Sequence, residues 1–314
     1  MKIVFLDSAT IGSDISLQPI AELGDFIAYP STKNEDTVRR LANADVAVVN
    51  KVLITKEIID ACPELKLICV AATGINNIDF EYAKAKNIEV KNAVNYSTNS
   101  VVQTTFGLLL EIMNKTSAHN DFVRSGKYSQ GEMFTCLEFP FGEIAGKRYG
   151  IIGMGNIGKK IAQIAEAFGA EVCYYSTSGK NNSVADYKQL TLDELLSTCD
   201  IISIHSPLNA HTNNLIGEKE LKKMKPEAIL INMGRGGIVN ETDLANALDN
   251  NVIAFAGADV FTKEPIDENH PYLTMKNKNR LILTPHIAWA SIEARKRLVE
   301  KIAENIKDKF RIKN

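Results

Sequence analysis

The chain runs to 314 residues, enough for two domains with cores of their own, and its 45% hydrophobic and 24% charged residues exclude a disordered or fibrous protein. A net charge of -2 leaves no positive field to hold nucleic acid or an anionic membrane surface, and no apolar run is long enough to cross a bilayer. Residues 1–7 lack the basic start and cleavage site of a signal peptide, and the five cysteines include no C-x-x-C pair, so the chain reads as cytoplasmic.

The first third carries strand patterns at 2–6, 46–49, 67–71 and 88–91, with helical segments between them. Their near-continuous apolar character predicts a parallel sheet buried on both faces. Lys51 follows the second of these strands and reads equally as a positive charge near an anionic ligand or as a solvated loop lysine. Residues 97–114 then predict a long helix, with Ser97 or Thr98 placed to cap its start. Val101, Val102, Phe106, Leu108, Leu109, Leu110, Ile112 and Met113 make it apolar around much of its circumference, so it must be buried between domains or against a second subunit. The aromatic stretch 127–146 (Tyr128, Phe134, Phe139, Phe141) reads as irregular chain lying across another surface.

A second α/β series opens at Arg148, with strands predicted at 149–152, 171–175, 201–205, 229–233, 255–260 and 281–284 and a final helix at 292–309. Thr191 with Glu194 forms a capping box before the third of these strands. Gly153-Met-Gly155-Asn156-Ile157-Gly158 sits between the first strand and its helix, the context in which G-x-G-x-x-G binds a dinucleotide. The first glycine permits the tight turn, the second admits a pyrophosphate to the backbone, and the third lets helix pack on strand. The next strand should end in an acid that holds the ribose 2′-hydroxyl of NAD, yet here it ends Tyr175-Ser176-Thr177-Ser178-Gly179-Lys180. Ser176, Thr177 and Lys180 suit a 2′-phosphate as well as a hydroxyl, so both NAD and NADP stand open, with a lean to NADP.

Three further segments follow strand ends, where open α/β sheets bind ligands: Asn232-Met-Gly-Arg235-Gly-Gly, Asp259-Val-Phe-Thr-Lys-Glu264-Pro and Thr284-Pro-His286-Ile-Ala-Trp289. An arginine pairs bidentately with a carboxylate, and a histidine exchanges protons near neutral pH when a carboxylate orients it. Arg235, Glu264 and His286 are therefore the catalytic candidates. His205 ends a strand too, but Pro207 behind it makes a cofactor-lining turn the better reading, and His119, His211 and His270 read as structural.

These motifs, in this order and over nearly the whole chain, resemble the D-isomer-specific 2-hydroxyacid dehydrogenases, with Ala72-Thr73-Gly74-Ile-Asn-Asn-Ile-Asp79 similar to that family's substrate-carboxylate loop. The resemblance implies an α/β fold of two Rossmann-like domains: a flavodoxin-like substrate domain of residues 1–96 plus 289–314, and an inserted NAD(P)-binding Rossmann domain of 97–288. It implies that His286 is the acid–base group, Glu264 its orienting partner and Arg235 the ligand of the substrate carboxylate and carbonyl. The amides around Thr73 and Gly74 would hold the carboxylate too. His205, Pro207, Thr212, Met233 and Asp259 fall on the cofactor side. Trp289 reads equally as a pocket wall and as a structural residue opening the last helix. A homodimer built on the helix 97–114 is implied, with a small 2-keto or 2-hydroxy acid as the ligand and neither nucleic acid nor membrane as partner. Within the family the loops look most like glycerate dehydrogenases, also called hydroxypyruvate reductases, which implies reduction of hydroxypyruvate or glyoxylate to D-glycerate or glycolate. A D-lactate-type or bulkier 2-keto acid reductase is the alternative, and a nucleotide-sensing binding protein a more distant one. Formate dehydrogenases, a related branch, carry glutamine where Glu264 stands. Asn95 departs from the family, which has glycine there, and the acid missing after Tyr175 puts the usual NAD preference in doubt.

Overall fold

The computed structural model describes residues 1–179 and 186–312. It divides into two compact units, Met1–Ser97 with Trp289–Asn314, and Thr98–Ala288. The first unit holds β1 (Lys2–Phe5), β2 (Asp25–Ala28), β3 (Val46–Val49), β4 (Leu67–Val70) and β5 (Glu89–Asn92), all parallel in the order β2-β1-β3-β4-β5. That order is flavodoxin-like. Side chains alternate across the sheet with period two. Ile3, Phe5, Val46, Val48, Leu67 and Cys69 enter one core, while Val4, Ala47, Val49, Ile68 and Val70 enter the other. The terminal helix Ile292–Phe310 covers the first face with Leu298, Ile302 and Ile306. The sequence patterns missed β2, which lies at the sheet edge and buries little of its surface.

The second unit holds β6 (Arg148–Ile152), β7 (Glu171–Tyr175), β8 (Lys188–Gln189), β9 (Ile201–Ile204), β10 (Ile229–Asn232), β11 (Phe255–Ala258) and β12 (Leu281–Leu283). They too are parallel, in the order β12-β11-β10-β9-β6-β7-β8. The chain runs outward from β6 through β7 to β8, then returns to pair β9 with the other side of β6. Such a reversal opens a crevice at the carboxyl ends of the two central strands, where doubly wound sheets place their ligands. The capping box forms as the sequence predicts: Thr191 Oγ1 accepts from Glu194 N at 3.2 Å, and Glu194 Oε2 accepts from Thr191 N at 2.8 Å.

The helix Thr98–Asn114 corrects one expectation. Its apolar surface needs no second subunit, because Val101, Val102, Phe106, Leu108, Leu109, Ile112 and Met113 are buried within their own unit, against Tyr149, Ile151, Ile161 and Ile231. Among the described residues the most exposed large apolar side chains lie later, at Met133, Phe134, Leu137 and Phe141, with Phe134 at 87%. Asn95 adopts φ +63, a left-handed conformation that asparagine tolerates better than most residues, which accounts for its standing where glycine is usual.

Candidate active site

The carboxyl edge of the second sheet is built loop by loop. After β6, Gly153 turns at φ +99, and a Cβ there would come to 2.4 Å from Ser206 Oγ. A Cβ on Gly158 would meet the Gly153 carbonyl oxygen at 2.3 Å, so only glycine lets the helix Asn156–Ala167 start so close to the turn. Gly155, by contrast, faces open space, with nothing within 4 Å of where its Cβ would stand. Open backbone at the start of a 12-residue helix is an anion cradle, through the direction of its amides and the positive end of its dipole.

Beside it, Gly153 N donates to Tyr175 O at 3.0 Å, which brings the end of β7 to the loop. Ser176 is buried, and among the described residues its hydroxyl has no partner. Thr177 Oγ1 lies 3.3 Å from Ser206 Oγ. Lys180 lies outside the described residues. The open cradle and the unpartnered buried hydroxyl fit a nicotinamide dinucleotide, its pyrophosphate at Gly155–Gly158 and its ribose near Ser176.

After β9, His205 N donates to Ile152 O at 2.8 Å. Its ring Nε2 lies 2.9 Å from Ser203 Oγ, and Nδ1 has no partner among the described residues. Burial lowers the imidazole to about 3, so His205 stays neutral in ordinary buffers and is no proton donor. Pro207 is exposed at the rim. Thr212 is not: it is fully buried, its hydroxyl donating to Pro207 O at 2.7 Å and accepting from Asn209 N at 2.8 Å. It closes the turn from behind.

After β10, Asn232 fixes the arginine loop from both ends. Its Oδ1 accepts from Gly234 N at 3.1 Å and its Nδ2 donates to Arg235 O at 3.0 Å. Met233 is buried beneath the loop, and the half-buried Arg235 donates through one guanidinium nitrogen to Gly234 O at 2.8 Å. Gly236 lies so near the next loop that a Cβ would stand 1.9 Å from the carbonyl carbon of Phe261. Phe261 N in turn donates to Glu264 Oε1 at 3.0 Å, and the other oxygen, Oε2, lies 2.7 Å from His286 Nδ1. Contacts thus run unbroken from the arginine loop through Phe261 to Glu264 and His286, whose side chains are 28% and 25% exposed.

His286 sits at φ +54, a left-handed backbone that costs an L-residue about 1–2 kcal/mol. Asp259 holds it there. Its Oδ1 accepts from Thr284 Oγ1 at 2.6 Å and Ile287 N at 2.8 Å, and its Oδ2 from Ala288 N at 2.9 Å. Burial to 1% exposure raises the carboxyl above its usual range despite these bonds. Asp259, expected at the nicotinamide end, spends both oxygens on the backbone that carries the histidine. Ser100 Oγ donates to Ala288 O at 2.6 Å from the helix below.

The remaining candidates belong to the first unit. Lys51 is exposed, and its amide donates to Asp7 Oδ2 at 2.6 Å. Thr73 Oγ1 donates to Ala93 O at 3.0 Å, next to a half-buried Gly74. Trp289 packs on the core under the terminal helix, edge-on to Tyr96 with centroids 6.4 Å apart.

Two residues that the sequence reading missed shape these loops. Asp7, 6% exposed, accepts from the amides of Asn50, Lys51 and Val52, and Asn232 clamps the arginine loop. An Asp or Asn ending an apolar strand is the only signal either leaves in the sequence.

The model of the D-isomer specific 2-hydroxyacid dehydrogenase NAD binding domain matches residues 106–288. The hydroxypyruvate reductase of Blautia hydrogenotrophica is 37% identical over 314 residues, covering 98% of this chain and 96% of the relative. The glycerate dehydrogenase of Methylorubrum extorquens is also 37% identical, over 97% of this chain and 95% of its own length. Among solved structures, an acyclic imino acid reductase in complex with NADPH and D-Arg superposes with a TM-score of 0.87 at 32% identity, covering 99% of this chain and 97% of that one.

Proposed function

The chain belongs to the D-isomer specific 2-hydroxyacid dehydrogenases, and from that premise we propose that it reduces hydroxypyruvate and glyoxylate, with NADPH preferred as reductant. The observation that carries the chemistry is the 2.7 Å contact between Glu264 Oε2 and His286 Nδ1, next to the arginine loop and on the sheet edge that holds the glycine turn. When bound, the dinucleotide supplies a hydride from its nicotinamide. Gly155, Asn156, Ile157 and Gly158 hold its pyrophosphate, and Ser176 and Thr177 meet the adenine-side ribose. His286 donates the proton that the carbonyl oxygen needs, through Nε2, because Glu264 engages Nδ1 and fixes the ring. Arg235 pairs its planar fork with the substrate carboxylate and stabilises charge developing on the carbonyl oxygen. Within the first unit, Lys51 and the amides of Thr73 and Gly74 are groups suited to a carboxylate.

NADPH is favoured because residues 176–185 carry no acid to repel a 2′-phosphate, and the imino acid reductase of the same fold is in complex with NADPH. A cytoplasmic location fits five free cysteines, four of them buried. A homodimer fits the exposed apolar side chains of Met133, Phe134, Leu137 and Phe141, which fall within nine residues of one another and would lose apolar surface to water-free contact on association.

The test is steady-state oxidation of NADPH and NADH with hydroxypyruvate, glyoxylate, pyruvate and phenylpyruvate. Hydroxypyruvate and glyoxylate are expected to give the highest kcat/KM. A preference for phenylpyruvate overturns the substrate assignment, and a preference for NADH overturns the nucleotide assignment.

A further inference from the structure

Glu241 and His270 form a buried pair that the reaction as described leaves without a task. Glu241 opens the helix Glu241–Asp249, and the two side chains are 14% and 8% exposed. Carboxylates are welcome in the first turn of a helix, but an exposed side chain would serve the dipole as well. Here both oxygens are committed elsewhere. Oε1 accepts from Thr262 N at 2.7 Å, and Oε2 lies 3.0 Å from His270 Nε2. His270 Nδ1 accepts from Tyr272 N at 3.2 Å, so the ring hydrogen sits on Nε2 and is donated to Glu241. The same ring meets Phe261 and Tyr272 edge-on, with centroids 6.0 and 4.9 Å away.

The chain bonded to this pair, Phe261–Thr262, is the stretch on which the catalytic loops are registered. Phe261 N holds Glu264 Oε1, and the Phe261 carbonyl carbon is where Gly236 leaves no room for a Cβ. A buried carboxylate costs several kcal/mol of desolvation unless fully hydrogen-bonded, and an apolar side chain would fill the space at lower cost. What the carboxylate adds is direction: it fixes one amide, Thr262 N, from a helix start.

We propose that Glu241 and His270 are positioning residues that hold Phe261–Thr262 and thereby keep the Glu264 carboxylate against His286. Neither touches the reacting atoms; both act through the loop. The inference rests on the reading of His286 and Glu264 given above, but its test does not need turnover.

The experiment reads the 15N resonance of His286 Nδ1 by NMR at one pH, assigned among the five histidines by its loss in H286Q, in wild type and in E241A, E241Q and E241D. Nδ1 is the atom that Glu264 contacts, so its resonance reports that contact directly. In E241A the Thr262 amide loses its acceptor and Glu264 drifts from Nδ1, so the resonance moves away from its wild-type position. E241Q keeps an amide oxygen for Thr262 N but sets its NH2 against the His270 Nε2–H, so it restores that position only in part. E241D, one methylene shorter, moves the resonance in the direction of E241A and serves if E241A does not fold. A resonance at the wild-type position in folded E241A or E241D overturns the inference, because mere loss of stability would not move it. Turnover recorded alongside separates the two claims. Wild type that fails to reduce any keto acid overturns the proposed function, whereas wild type that turns over with an unmoved resonance in the variants overturns only the positioning role.

Discussion

Asp259→Asn is the perturbation that best separates an anchor of the histidine segment from a cofactor contact. In the native loop three donors converge on one carboxylate buried to 1% exposure: Thr284 Oγ1 at 2.6 Å, Ile287 N at 2.8 Å and Ala288 N at 2.9 Å. Asparagine fits the same volume but brings one acceptor. With its oxygen on Thr284 and Ile287, its Nδ2 faces the Ala288 amide, donor against donor. One buried amide is orphaned, which costs about 1–3 kcal/mol. Relief of the desolvation that raises the native carboxyl returns part of this, so the loss in stability should sit toward the lower end of that range. The bonds of Asp259 also offset the left-handed backbone of His286, so the histidine should shift, and a misplacement of about 1 Å costs on the order of 100-fold in rate. Urea unfolding followed by circular dichroism reads the stability, and steady-state reduction of hydroxypyruvate reads the rate. A variant that unfolds at the wild-type midpoint with wild-type kcat would refute the anchoring role. Wild-type stability with only a raised KM for the dinucleotide would return Asp259 to the cofactor side.

Three further outcomes follow from particular contacts. Burial holds the His205 imidazole at about 3, against an ordinary value of about 6.5, so between those pH values the unfolded chain binds a proton that the folded chain does not. Stability tied to this residue is therefore whole above pH 6.5 and lost as pH falls, by about 1–2 kcal/mol at pH 5, and His205→Gln should flatten that slope in urea titrations run from pH 7 to pH 5. Ser176→Asp places a carboxylate where a 2′-phosphate would sit, and should raise the KM for NADPH at least about tenfold while leaving NADH within about threefold. Equal effects on the two nucleotides would remove Ser176 from the ribose site. On the proposed homodimer, wild type is expected to sediment as a dimer and the variant with Phe134 and Leu137 both replaced by serine as a monomer, and an unchanged sedimentation coefficient would place the association surface elsewhere.

Much of this was legible in the sequence because it depends on local pattern. Near-continuous apolar runs locate β1, β3–β7 and β9–β12 to within a residue or two, and the glycine spacing at 153–158 with the loops at 232–237, 259–265 and 284–289 marks the functional edge. The edge strands β2 and β8 escaped because they bury too little to force an apolar pattern. The tasks of Asp259, Thr212, Asn232 and Asp7 were hidden for another reason. Each is decided by which backbone amide or carbonyl a short polar side chain finds in three dimensions, across 28 residues for Asp259 and Ile287 and 43 for Asp7 and Asn50. The helix Thr98–Asn114 was correctly read as buried, but periodicity alone does not say against what. The answer, its own sheet, needed the fold.

The central claim is that His286, held by Glu264, delivers the proton in keto acid reduction, and the most direct measurement is kcat/KM for hydroxypyruvate with saturating NADPH in wild type and His286→Ala. A loss of about 10²–10⁴-fold with nucleotide affinity unchanged is expected. A variant that turns over within a few-fold of wild type would contradict it.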